Sequence, residues 1–197
     1  MLGQAPRERA DAARNRAKVL AAADRLFRRH GVANVSMDDV AAEAGVGKGT
    51  LYRRFGDKAG LAAALLDERE SALQARLLTG PPPLGPGAPP RERLTAFAVA
   101  YLEYVSAHVD LVLMSQTASP GVRLRIGAHK LWRRHCTYLL TETGAPDPEL
   151  RADTLLAALS GEQVRHWRQD ERRRLTDLSA AVTRLVEALA THALATD

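Results

Sequence analysis

Apolar residues recur at three- and four-residue spacings through most of the chain, the period of a helix with one buried face. Val19, Leu20, Ala23, Leu26 and Phe27 form the first such stripe, with Arg16, Lys18, Arg25 and Arg28 outside it. His30-Gly31 then reads as a glycine C-cap. Ser36-Met37-Asp38-Asp39 has a hydroxyl at an N-cap position and an acid three residues on, which predicts a second helix running to Ala44. Gly45 stands where a sharp left-handed turn is needed. Val46-Gly47-Lys48-Gly49-Thr50-Leu51 restarts a third helix, with Gly47 as N-cap and Val46 and Leu51 as a hydrophobic staple. Leu51 and Phe55 are expected to point inward with Val40, Ala41 and Ala44, leaving Lys48, Thr50, Tyr52, Arg53 and Arg54 outside. Asp57-Lys58 starts a fourth helix read to about residue 78.

The segment 79–90 holds six of the ten prolines and cannot be helix. It is expected to be a surface loop within a helical domain, the alternative being a freely hinging linker. Beyond it, helices are predicted at 91–107, 119–143, 148–169 and 176–194, with a short one at 110–115. Asp147-Pro148-Glu149 is a favourable start for the helix at 148.

Composition agrees with an all-α fold: aromatic residues are 5% of 197, too few for a sheet built on aromatic strands. No apolar run approaches the roughly 18 residues that span a bilayer, and the first residues lack a signal-peptide core, so a cytoplasmic location is expected. A single cysteine, Cys136, excludes an intrachain disulfide framework and any cage built from cysteine alone.

Charge changes the picture once it is located. Residues 1–58 carry 12 Lys/Arg against 7 Asp/Glu, whereas the remainder carries 16 of each, so the whole excess of five lies in the first third. A basic segment on a neutral remainder points to an anionic partner, either nucleic acid or a membrane surface. Two short helices joined by a tight glycine turn, the second with a basic outer face, form a helix-turn-helix, whose second helix enters the DNA major groove. Against the membrane reading, the first helix carries Asp11 and Asp24 and breaks at Gly31, unlike a long basic anchor.

Residues 13–73 resemble the DNA-binding domain of the TetR family of transcriptional regulators. The resemblance rests on Leu26-Phe27 with Gly31 beyond, on 36–46, on 47–55, and on Lys58 and Leu61. It implies an N-terminal three-helix DNA-binding domain at 13–73, with its recognition unit at 36–55, and a C-terminal helical ligand-binding and dimerisation domain at 74–197. Carried over by position, Ser36 would cap a helix and touch phosphate. Lys48, Gly49 and Thr50 would lead into the groove, and Tyr52 and Lys58 would hold phosphates. Arg53 is the expected base contact and Arg54 a backbone contact. Two departures bear on this: Gly47 replaces the family's usual Ser or Thr, removing a hydroxyl, and Arg53-Arg54 replaces a frequent Tyr-His pair.

The resemblance also implies a homodimeric repressor that a mostly apolar small molecule releases from its operator. Helix 4 would be the transmitter between the domains. Surplus apolar positions on the last two helices nominate Leu155, Leu159, Val164, Trp167, Leu178, Val182, Leu185 and Leu189 for the dimer interface, though each is equally a core position. Phe97, Tyr101, Tyr104, Met114, Trp132 and Cys136 are candidates to line the ligand pocket, with the same reservation. Arg133, Arg134 and Arg165 could meet an anionic group or be surface charges. His129 and Cys136 are seven apart but too few for a metal site, and neither metal nor cofactor is expected. The Arg-rich stretch 165–174 is interrupted by acids and reads as a solvated connection. An activator, or a sensor of a protein or redox partner, is the alternative on the same fold. No catalytic arrangement is apparent, so an enzyme is not expected.

Overall fold

The computed structural model describes residues 5–116 and 127–191, and among these there are helices and turns but no strand. The helices are α1 (Ala5–His30), α2 (Met37–Ala44), α3 (Lys48–Phe55), α4 (Lys58–Thr79), α5 (Pro90–Ala107), α6 (Val109–Ser115), α7 (Gly127–Glu142), α8 (Pro148–Ala158), α9 (Gly161–Arg165) and α10 (Leu175–Leu189). A π-helical turn, His166–Asp170, follows α9.

The chain divides into two compact units, Met1–Asp67 with Asp110–Pro120, and Glu68–Val109 with Gly121–Asp197. The boundary expected at 73/74 thus falls inside α4, which contributes to both units. In the first unit the predicted stripe is the core: Val19, Leu20, Ala23 and Phe27 of α1 are buried with Val40 and Ala41 of α2, Leu51 and Phe55 of α3, and Leu61 and Leu65 of α4. Helix α1 starts at Ala5, ahead of the stripe that announced it.

In the second unit α5 packs against α7 and α10, and α7 against α8. The core runs through Leu94, Phe97, Leu102, Trp132, Leu139, Leu156, Val164 and Val186. The proline-rich loop is tied down rather than hinging: Leu84 is buried and joins this core. Only 127–142 of the helix expected at 119–143 can be compared, because 119–126 lie outside the described residues, as do 192–194 of the last helix.

Two expectations need correction. The helix expected at 148–169 is broken, because Ala158 ends α8 and Ser160 starts α9 with its hydroxyl accepting from the Gln163 N–H at 3.4 Å. Ser160 with Gln163 three residues on is a start signal that the longer apolar stripe masked. The interface nominations come from this stripe and from the one on the last helix. Leu155, Leu159, Val164, Leu178 and Val182 are at most 4% exposed within their own chain, so no surface remains on them for a partner. Trp167, Leu185 and Leu189 are only partly buried against that core.

Candidate nucleic-acid interface

The turn between α2 and α3 is set by local chemistry. Ser36 Oγ accepts from the Asp39 N–H at 3.1 Å, and Asp39 Oδ2 accepts from the Ser36 N–H at 2.9 Å, a reciprocal capping box. The Ser36 hydroxyl also donates to Asp39 at 2.6 Å, and these bonds hold the Asp39 carboxyl below its ordinary range. Gly45 ends α2 at φ 63°, a left-handed conformation that a side chain would strain. The Val46 N–H closes the turn on the Ala41 carbonyl at 3.0 Å.

Gly47 caps α3 without a side-chain bond, so the first amides of that helix keep their outward-facing N–H groups. Lys48, Gly49, Thr50, Tyr52, Arg53 and Arg54 are all exposed, while Leu51 and Phe55 turn inward as the pattern predicts. A Cβ built on Gly49 meets nothing within 4 Å, so nothing in the chain's own packing calls for glycine there. Lys48 Nζ pairs with Asp38 Oδ2 at 2.6 Å, linking α3 to α2, and that bond raises the lysine pKa. Arg53 and Arg54 have no hydrogen bond or ion pair among the described residues.

Lys58 is placed differently from the expectation. Its ammonium donates to the carbonyls of Val32, Ala33 and Val35 at 3.0, 3.1 and 3.0 Å, so all three protons are spent on the loop between α1 and α2 and none is left for a phosphate. No sequence signal foretold this, because the partners lie 23 to 26 residues away. Two further supports went unread. Arg25 of α1 grips Glu43 of α2 at 3.0 Å. Gly60 lies so close to α3 that a Cβ would sit 1.9 Å from the Phe55 carbonyl oxygen.

In the second unit, Phe97, Trp132 and Cys136 are at most 1% exposed and Tyr101 8%. Phe97 stacks on Tyr101 with centroids 5.7 Å apart and leans on Trp132 at the same distance. Tyr104 stacks on Tyr101 at 6.2 Å, and its hydroxyl donates to Glu70 at 3.3 Å. Five of the six nominated pocket residues therefore share one core, whereas Met114 belongs to the segment grouped with the first unit. Burial pushes the Cys136 thiol well above its ordinary pKa, the opposite of a reactive redox thiol. His135, not nominated, meets Phe97 edge-on at 5.4 Å, and burial together with Arg93 pushes its pKa down to about 4. Arg133 is committed to Asp153 at 2.7 Å and Glu149 at 3.1 Å, bridging α7 to α8. No cluster of three or more His, Cys, Asp or Glu suited to a metal occurs among the described residues. No single helix among them is long and apolar enough to cross a membrane.

A short helix, a left-handed glycine turn and a second helix with a basic, exposed outer edge define a helix-turn-helix DNA-binding domain. Comparison with known proteins agrees. Residues 19–65 match the family described as bacterial regulatory proteins, tetR family. An HTH-type transcriptional regulator of Staphylococcus aureus is 49% identical over 53 residues, which is 27% of this chain and 29% of that protein. The chain therefore matches less than a third of that relative's length. Over nearly the whole chain, a TetR-type transcriptional regulator of Streptomyces avermitilis is similar at 29% identity with a TM-score of 0.62, covering 90% of this chain and 99% of that one. A transcriptional regulator from Rhodococcus shares the fold at 23% identity with a TM-score of 0.68, covering 88% and 95%. Residues 19–65 thus match a TetR-type DNA-binding segment, and over most of its length the chain is similar in fold to TetR-type regulators, an N-terminal helix-turn-helix followed by a helical C-terminal unit. These relatives are regulators of transcription rather than enzymes.

Proposed function

We propose that the protein is a sequence-specific DNA-binding transcriptional regulator acting in the cytoplasm as a homodimeric repressor, released from its operator by a small molecule. The observation that carries the reading is the outer edge of α3, where Lys48, Thr50, Tyr52, Arg53 and Arg54 stand exposed on a helix whose other face is locked into the core by Leu51 and Phe55. Arg53, with no hydrogen bond or ion pair among the described residues, is the base-reading residue, suited to a bidentate grip on guanine. Arg54 and Tyr52 hold backbone phosphates, and Gly49 lets the helix start approach the duplex. Lys48 trades Asp38 for phosphate when DNA arrives. Ser36 touches phosphate only if its hydroxyl leaves Asp39.

Two recognition helices are needed to read half-sites about 34 to 36 Å apart, which requires a dimer. With Leu155 and its neighbours buried, the partner surface in this reading is the row of half-buried Ala181 and Leu185 and exposed Ala188 on α10, with exposed Leu150 and Ala157 of α8 and the partly buried Trp167 and Leu189. The effector reading rests on the aromatic cluster of Phe97, Tyr101, Tyr104 and Trp132, whose apolar character suits a mostly apolar ligand. Such a ligand must bind the DNA-competent and released states unequally, since equal affinity shifts nothing. Helix α4, shared by both units, is the element through which the difference would pass.

Selection of random duplex DNA on purified protein tests the reading. An enriched palindrome bound with a steep salt dependence supports a dimeric sequence reader. Binding without enrichment would reduce the first unit to a DNA-coating surface, and a monomer by light scattering would remove the dimer.

A further inference from the structure

A cavity of about 310 Å³ opens in the first unit between α1 and α3, beside the exposed edge just described. Its floor is apolar, made by Val19 of α1, Val46 of the turn, and Leu51 and Phe55 of α3. Its rim carries Arg53 and Arg54, neither of which has an ion pair among the described residues. The one acid on the rim, Asp11, is already paired with Arg14 one turn along α1. An apolar floor edged by two arginines that have no ion pair among the described residues is complementary to a small organic anion that has a flat or aliphatic body and a single carboxylate or sulfonate. The volume sits at the small end of the usual range for small-molecule sites, roughly 300 to 1,000 Å³, which suits a body of about two rings.

We propose that this groove binds small amphiphilic organic anions, and that such binding competes directly with DNA, because the anion and the duplex claim the same arginines. This is a second route of control, separate from any effector held in the C-terminal unit. Its effect on DNA rests on the reading of α3 as the recognition helix, but binding to the groove can be measured with no DNA present.

The test uses the full-length protein and 1-naphthoate as probe, with the neutral 1-naphthalenemethanol as control, followed through backbone amide NMR shifts. Saturable shifts at Val19, Val46, Leu51 and Phe55 are expected with naphthoate, and the alcohol should bind about tenfold more weakly or worse. Ala12→Phe, on a half-buried lining position of α1, should fill the groove and abolish those shifts while leaving DNA binding intact. If that variant fails to fold, Asn15→Phe performs the same test from an exposed position. Naphthoate should then lower the apparent affinity for selected duplex DNA in the wild type and not in the filled variant. Shifts confined to the C-terminal unit, equal affinity for acid and alcohol, or unaltered binding in both filled variants would each overturn the proposal. A random-duplex selection that enriches nothing, together with intact naphthoate shifts, would instead bring down the DNA-reading role of α3 and with it the competition.

Discussion

Replacing Lys58 with methionine separates two roles that look alike in a binding assay. Methionine keeps most of the side chain's length but removes its charge and its three donors. The structure spends those donors on Val32, Ala33 and Val35 carbonyls at 3.0 to 3.1 Å, and the bonds to Val32 and Val35 are partly buried. A hydrogen bond from a charged group is worth about 1.5 to 3 kcal/mol, and water can re-satisfy the exposed Ala33 carbonyl, so the two sheltered bonds set the scale. After discounting for partial exposure and non-additivity, the first unit should lose about 2 to 4 kcal/mol. Amide hydrogen exchange at Leu51 and Leu61, both buried, reads that loss locally, which matters because a two-unit chain need not unfold in one step. DNA affinity should fall only as far as the first unit unfolds. The slope of log affinity against log salt, measured where the variant is still folded, should stay at the wild-type value. A phosphate contact would behave oppositely: stability would hold, and the slope would shrink by about 0.9 for each contact removed. That pair of results would refute the inward-facing assignment.

Arg53→Ala should relax sequence preference at one base position and cost about 1 to 3 kcal/mol there, read from affinities for single-base variants of a selected site. A uniform loss across all variants would make it a backbone contact. Gly49→Ala should leave thermal stability unchanged or raise it by up to about 1 kcal/mol, because alanine is the better helix former and its Cβ meets nothing within 4 Å. It should nevertheless weaken DNA binding, and unaltered affinity would show that the helix start does not approach the duplex closely. His135 makes stability depend on pH. Its ring is held neutral down to about 4, while the unfolded chain takes a proton near 6.5, so its contribution is complete above 6.5 and is lost as pH falls towards 4. The loss should be about 1 to 3 kcal/mol by urea titration, given that the ring is not fully buried, and His135→Leu should flatten the dependence across that window.

The recognition unit was legible because its determinants lie within a few residues of one another. Ser36 and Asp39 are three apart, Gly45 directly follows the helix it ends, and Leu51 and Phe55 share a face by period alone. The same reasoning found the start of α8 at Pro148 and the proline-rich break before α5, although α5 begins at Pro90, inside the segment read as non-helical. It failed at Ser160, where the short-range start signal was outvoted by an apolar stripe continuing past it. It failed again at Lys58, which by type and place beside a basic helix looked like a phosphate ligand.

From sequence alone came the helical class, the two-helix turn with its left-handed glycine, and the basic outer face of α3. Those follow from bonds and sterics spanning no more than a turn or two of backbone, and from a net charge that needs no fold to be counted. The tertiary structure decided the rest: which apolar face of α8 to α10 is core and which stays exposed, that Lys58 braces a loop, and that α1 and α3 enclose a groove lined in part by Arg53 and Arg54. Helices with apolar residues on more than one face carry no local mark of which face will be covered. That choice is made by the simultaneous packing of several helices, and a lysine's partner is whichever oxygens that packing brings within reach.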